Sequence, residues 1–223
     1  MIAVVDAGMG NLRSVVRALE RAATDASIGS CDVVVTADPD AIARADRVVM
    51  PGQGAFGDCA VALGRDGGAL AEALRASIAA GRPYLGICLG LQVLFRESDE
   101  APGRDGLGVF EGHVQKFSTD LRDTDGERLK VPHMGWNCVD PQSAWPSWAP
   151  AAAQADAADR WFYFVHSYCV VPDDVAVIAG RTQHGETFAS AVARANVFAV
   201  QFHPEKSQRA GLRLLRAWLA GTA

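Results

Sequence analysis

Short apolar runs alternate with amphipathic stretches through the first hundred residues of the chain. The opening IAVVDA (2–7) is apolar and rich in β-branched residues and ends at the glycine turn Gly8-Met9-Gly10, a pattern that predicts a strand. Asn11 is placed to cap a helix whose apolar positions Leu12, Val15, Val16 and Leu19 recur at helical spacing. CDVVVT (31–36) and DRVVM (46–50) repeat the strand pattern, with PDAIARA between them. GGALAEALRASIAAGRP (67–83) predicts a helix closed by Gly81 and Pro83. YLGI (84–87) then predicts a strand, and LGLQVLFRES (89–98) a helix that starts directly after Cys88. Strands and helices alternating at such short intervals build right-handed βαβ units and a largely parallel sheet covered on both faces. Sites in these folds gather at the carboxyl ends of the strands.

The second half changes character. GHVQKFS, VPHMGWNCV, RWFYFVHSYCVVP, VAVIAGR, TFASAVARANV and FAVQFHP predict strands and turns, some of them antiparallel. SQRAGLRLLRAWLAG (207–221) predicts a closing amphipathic helix. TDLRDTDGERL (119–129) reads as a polar surface hairpin or loop, and PQSAWPSWAPAAAQADAAD (141–159) as a Pro/Ala-rich loose connection. No internal repeat and no interdomain linker stands out, so the expectation is one domain over residues 1–223.

Composition narrows the class. The chain is 49% hydrophobic and 21% charged with a formal net charge of −5, which suits a globular protein with a substantial core. No basic cluster suggests a nucleic-acid partner. The first ten residues lack a basic n-region, and no apolar stretch is long enough for a membrane span, so a cytoplasmic protein is expected. Five scattered cysteines, Cys31, Cys59, Cys88, Cys138 and Cys169, fit reduced thiols better than a disulfide framework. The histidines His113, His133, His166 and His184 have no metal-binding spacing, and neither metal nor cofactor is expected. GMGNLR is not a dinucleotide fingerprint, because Arg13 stands where the third glycine belongs.

Three stretches carry chemistry. In GICLG, Cys88 stands between Gly86 and Gly90 at a strand–helix junction, the layout of a nucleophile elbow with cysteine in place of serine. The glycines permit a sharp turn, the helix N-terminus favours thiolate, and the Leu89 amide points where an oxyanion forms. Taken alone, the same residues equally describe a small buried cysteine in a tight junction. In QFHPEKS, Pro204 keeps His203 extended, and Glu205 shares its face two residues on. That is the base-plus-orienter half of a Cys-His-acid triad. The third stretch, PGQG, follows a strand and forms a loop able to present backbone N–H groups at its carboxyl end, where a second oxyanion donor is needed; taken alone it reads as an ordinary glycine turn.

Together these motifs resemble the class I glutamine amidotransferases, with the nucleophile in G-x-C-x-G and the other triad members in H-P-E, here 115 residues further on. More narrowly, DAGMGNLRSV, PGQGAFGD, VPHMGWN, FVHSYCVVP and QFHPEKS resemble the glutaminase subunits of imidazole glycerol phosphate synthase, from Asp6 to Ser207. The resemblance implies an α/β three-layer fold with a mixed, mainly parallel central sheet flanked by helices and a nucleophile elbow. It implies a Cys88-His203-Glu205 triad and an oxyanion hole from Gly52, Gln53 and Leu89. Gln92, Glu100, Ser167 and Tyr168 match positions that hold glutamine. Asn11, Met134, Trp136, Tyr163 and Lys206 match a face that docks a cyclase subunit, a β/α barrel, in a heterodimer with an ammonia passage. Ala7 and Cys169 depart from the residues frequent in that family. Other readings are an amidotransferase subunit for anthranilate or aminodeoxychorismate synthesis, or a silent amidotransferase-like module. PHMGWN and GMGNLRS speak against the first, and the complete triad against the second.

Overall fold

The structure is a computed structural model and describes residues 1–25, 32–149 and 160–221. Cys31, at the head of CDVVVT, and most of the Pro/Ala-rich connection, 150–159, lie outside the described residues. The parallel half of the sheet is built from β1 (Ile2–Val5), β2 (Val33–Thr36), β3 (Arg47–Gly52), β4 (Tyr84–Cys88) and the late strand β13 (Val197–Val200). Their spatial order is β2-β1-β3-β4-β13, every neighbour parallel. Strands covered on both faces have no polar side to show, which is why β1, β4 and β13 are apolar and buried throughout.

Alternate residues of β1 serve opposite faces. Ile2 and Val4 join the core beneath α1 (Leu12–Asp25) and α6 (Gln208–Gly221), with Leu19, Leu214 and Trp218. Ala3 and Val5 join the other core, with Ile42 of α2 (Pro39–Arg44), Phe56 of α3 (Phe56–Leu63) and Leu74 of α4 (Ala69–Ala79). The sheet is thus the middle of three layers.

Beyond β13 the sheet turns antiparallel through β12 (Glu186–Arg194), β10 (Tyr168–Pro172) and β6 (Phe110–Lys116), with β5 (Phe95–Ser98) parallel to β6 at the edge. β11 (Ile178–His184) branches from β12, and the two-residue β8 (Asp140–Pro141) pairs with β11. A separate antiparallel ribbon pairs β7 (His133–Cys138) with β9 (Trp161–His166). The mixed sheet flanked by helices agrees with the expected fold class.

Two segments differ from the sequence reading. The helix expected over 89–98 stops after one turn, α5 (Leu89–Gln92), and the chain continues as β5. Leu91, Val93, Leu94 and Phe95 are all fully buried, so an extended helix would have no polar face, and Phe95 instead stacks on Phe110. Helix α3 was not expected at all. Its N-cap residue Ala55 offers no side-chain acceptor, and the first amide, Phe56 N–H, donates to Glu100 Oε2 at 2.7 Å. A cap supplied 44 residues away leaves no local signature.

Candidate active site

β4 ends at Cys88 and α5 begins at Leu89, with nothing between them. The chain turns this corner by holding Cys88 at φ +54° and ψ −103°, a conformation that non-glycine residues adopt only when their surroundings impose it. Both flanking glycines impose it. A Cβ on Gly86 would lie 2.5 Å from the Gly90 carbonyl oxygen, and one on Gly90 would lie 1.8 Å from that of Met50. The turn of α5 therefore folds against β3 and β4 at a distance no side chain allows. Gly52, the register partner of Cys88 on β3, is equally constrained: a Cβ there would sit 2.7 Å from the Leu89 Cβ. With one turn of helix, α5 carries little macrodipole, so the sulfur gains less from it than the sequence suggests.

His203 follows β13, which lies directly beside β4 in the sheet. Its backbone N–H donates to the Tyr163 carbonyl at 2.9 Å, and its carbonyl accepts from Ser207 Oγ at 2.6 Å. Ser207 Oγ in turn accepts from the Tyr163 amide at 2.9 Å, so Tyr163 and Ser207 fix the imidazole's base from both sides. The side chains of His203 and Glu205 are 1% and 3% exposed, and Nδ1 lies 2.9 Å from Glu205 Oε1. A carboxylate oxygen only accepts, so Nδ1 carries the hydrogen and Nε2 is left for proton transfer. Nε2 is buried and makes no well-formed hydrogen bond among the described residues. Burial pushes the imidazole toward the neutral form, but the Cys88 sulfur and then the Glu205 carboxylate outweigh it and hold His203 up at about 9.

In front of Cys88 opens a cleft of about 370 Å³. Gln53, Leu89, Gln92, Glu100, Ser167 and Tyr168 all line it, so the structure gathers most of the expected substrate and oxyanion positions round the sulfur. Gly52 lies in β3 behind the cleft rather than on its lining. Several of these groups have other tasks. Glu100 caps α3. The carbonyl of Ser167 accepts from the Phe117 amide, and that of Tyr168 accepts from both His166 Nδ1 and Gln92 Nε2. The Ser167 N–H makes no turn or loop hydrogen bond among the described residues.

The ribbon of β7 and β9 stands beside the cleft, with Val165 and His166 of β9 on its lining, and Lys206, from the turn after His203, lines it too. Trp136 pairs with Tyr163 across the ribbon, their rings edge to face at 6.2 Å, and Lys206 Nζ lies 5.9 Å over the Tyr163 ring. Met134 is 62% and Trp136 44% exposed, large apolar groups in water at the rim of a polar cleft. Asn11 is exposed at the start of α1, where its Oδ1 accepts from the Ser14 amide.

Sequence reasoning missed a buried polar set behind the cleft. Gln201 is fully buried, and its Nε2 lies 3.4 Å from Cys88 Sγ. The signal was available: Gln201 precedes His203 by two residues in an extended segment and so shares its face. His133 and His166 are also buried, with Nδ1 of the first 3.0 Å from Nε2 of the second. Burial holds both imidazoles down at about 3, in the neutral form.

The family model for glutamine amidotransferase class-I matches residues 3–220, and the chain belongs to that family. Within it, the imidazole glycerol phosphate synthase subunit HisH of Syntrophotalea carbinolica is 47% identical, over 97% of this chain and 98% of its own. That of Methylococcus capsulatus is 49% identical over 98% and 95%. Likeness of this degree over nearly the full length of both chains places the chain among the HisH subunits. A crystal structure described as a glutamine amidotransferase shares the fold at a TM-score of 0.66 and 19% identity, covering 99% of this chain and 98% of that one. PurLQS from Thermotoga maritima does so at 0.64 and 18%, covering 100% and 98%.

Proposed function

We propose that this chain hydrolyses glutamine to glutamate and ammonia with Cys88 as nucleophile, and hands the ammonia to a cyclase subunit in histidine biosynthesis. The observation that supports it most is the buried His203–Glu205 pair, 2.9 Å apart, set behind a cysteine held at φ +54° at the head of an open cleft. Glutamine enters the cleft with its α-amino and carboxylate groups toward Gln92, Glu100 and the Ser167-Tyr168 backbone. The Cys88 thiolate adds to the side-chain carboxamide, and the Leu89 and Gln53 amides receive the oxyanion. Imidazolium His203, held by Glu205, protonates the departing nitrogen, so ammonia leaves and a thioester remains. Water deprotonated by the same imidazole then releases glutamate and restores the thiol.

Ammonium is not nucleophilic, so ammonia is best delivered without meeting bulk water. Met134, Trp136, Tyr163 and Lys206, beside the cleft, supply the docking face for a β/α-barrel cyclase in a heterodimer, with Asn11 at its margin. There ammonia and a ribulosyl-formimino carboxamide nucleotide give imidazole glycerol phosphate and aminoimidazole carboxamide ribotide. The test is to supply amide-¹⁵N glutamine to the chain, a cyclase barrel and the nucleotide. Label in the imidazole is expected; glutamate formed with no label in the imidazole would move the chain to another acceptor, and no glutamate would end the glutaminase reading.

A further inference from the structure

A single backbone carbonyl determines the polarity of the hydrogen bonds that reach Cys88 from behind. The Tyr168 carbonyl can only accept, so Gln92, 3.1 Å away, must present its amide nitrogen. The same Gln92 Nε2 lies 3.2 Å from one end of the Gln201 amide, which must therefore be the oxygen, Oε1. That leaves Gln201 Nε2 as the end facing Cys88 Sγ, at 3.4 Å. The Tyr168 carbonyl is itself pinned, because His166 Nδ1 donates to it at 2.9 Å and His133 Nδ1 holds His166 Nε2 at 3.0 Å. His133 Nε2 accepts from the Asn137 amide at 3.1 Å. The bonds thus converge on the Tyr168 carbonyl from His166 on one side and Gln92 on the other, each donor fixed by the acceptor it meets, and Gln201 has no exposure through which water replaces it.

We propose that Gln201 is a further catalytic residue, which donates a hydrogen bond to the Cys88 sulfur and stabilises its thiolate, and that Gln92 is the positioning residue that aims it. The proposal rests on Cys88 being the nucleophile. A donor aimed at sulfur favours the anion over the thiol, and Gln201 adds a neutral donor to the charge that His203 already brings to that atom. It also changes the part assigned to Gln92: its amide nitrogen is committed to Tyr168 and Gln201, and its Oε1, without a protein partner among the described residues, is the atom available to a ligand.

The test measures alkylation of Cys88 by iodoacetamide against pH, with the adduct located by mass spectrometry, in the wild-type chain, Gln201→Met and Gln92→Met. Location of the adduct separates Cys88 from Cys59 and Cys169, whose thiols burial pushes up to about 12. Losing one donor to an anion should slow alkylation about tenfold at pH 7 while leaving the rate at high pH unchanged. Glutamine turnover in the complex with the cyclase barrel should fall by a similar factor in kcat, with KM within about twofold, for Gln201→Met. Gln92→Met, which keeps Gln201 but releases its orientation, should show the same alkylation shift in smaller degree, and it carries the test if Gln201→Met does not fold. A general packing defect would lower the rate at every pH. Unchanged pH dependence in the variants overturns the proposal. If the shift appears but Cys88→Ala still hydrolyses glutamine, the hydrogen bond stands and it is the nucleophile assignment that falls.

Discussion

At the scale of single residues, the site is a contest between burial and partner charges, and His203 is where it is decided. Burial alone would keep this imidazole neutral at pH 7; the Cys88 sulfur is the first of the groups that reverse it. Replacing Cys88 by alanine should therefore do two things. It should abolish glutamine-dependent synthesis while the cyclase still uses added ammonia, and it should move the His203 titration, followed by NMR of the imidazole carbons, down from about 9. A variant that still used glutamine, or an imidazole that titrated unchanged, would refute the pairing. The His203-Glu205 half of this site was legible in the sequence, since H-P-E is local and its geometry follows from an extended backbone. Gln201 was not singled out, because a glutamine in an apolar strand gains its meaning from a sulfur 113 residues away.

At the scale of elements, the strand–turn–helix at Cys88 and the β7-β9 ribbon make separate demands. Gly90 has ordinary helical backbone angles, so its necessity is steric: a Cβ would strike the Met50 carbonyl. Gly90→Ala should cost about 3 kcal/mol or more, read from urea denaturation, because the obstacle is backbone and cannot swing aside. The ribbon behaves differently. Trp136 is half in water and packs edge to face on Tyr163, so Trp136→Ala should leave the denaturation midpoint almost unmoved. Titration against the cyclase barrel should instead show affinity about 30-fold weaker, as expected of an aromatic anchor at an interface centre. An unchanged affinity would remove Trp136 from the docking face. The elements themselves were read well where their signals are local. α3 and the 89–98 segment were misread because a distant carboxylate caps one, and the burial of Leu91, Val93, Leu94 and Phe95 together redirects the other.

At the scale of the whole molecule, the titrating groups pull stability in opposite directions. His133 and His166 are held down at about 3, against 6.5 when unfolded. The unfolded chain thus binds more protons between those values, and stability falls as pH drops below about 6.5. His203 is held up at about 9, so its contribution is complete below about 6.5 and is lost as pH rises through 9. Acidification from pH 7 to 5 is therefore dominated by the buried pair, and His166 alone should cost about 2 kcal/mol by pH 5. His166→Gln should flatten that loss, measured as thermal unfolding across pH 5 to 7. An acid slope identical to wild type would show that His166 is not buried neutral.

What the sequence determined by itself is whatever short-range physics carries. That covers the parallel βαβ half from continuous apolar runs, the elbow from G-x-C-x-G, and the imidazole–carboxylate pair from H-P-E. The tertiary structure alone decided which groups remain free to act. It places β13 beside β4 so that His203 and Gln201 meet Cys88, engages the carbonyls of Ser167 and Tyr168, and aims Gln92 at Gln201. The reason is that a hydrogen bond or a pKa depends on distances across the sheet, and those are set by register and packing between segments far apart in the chain.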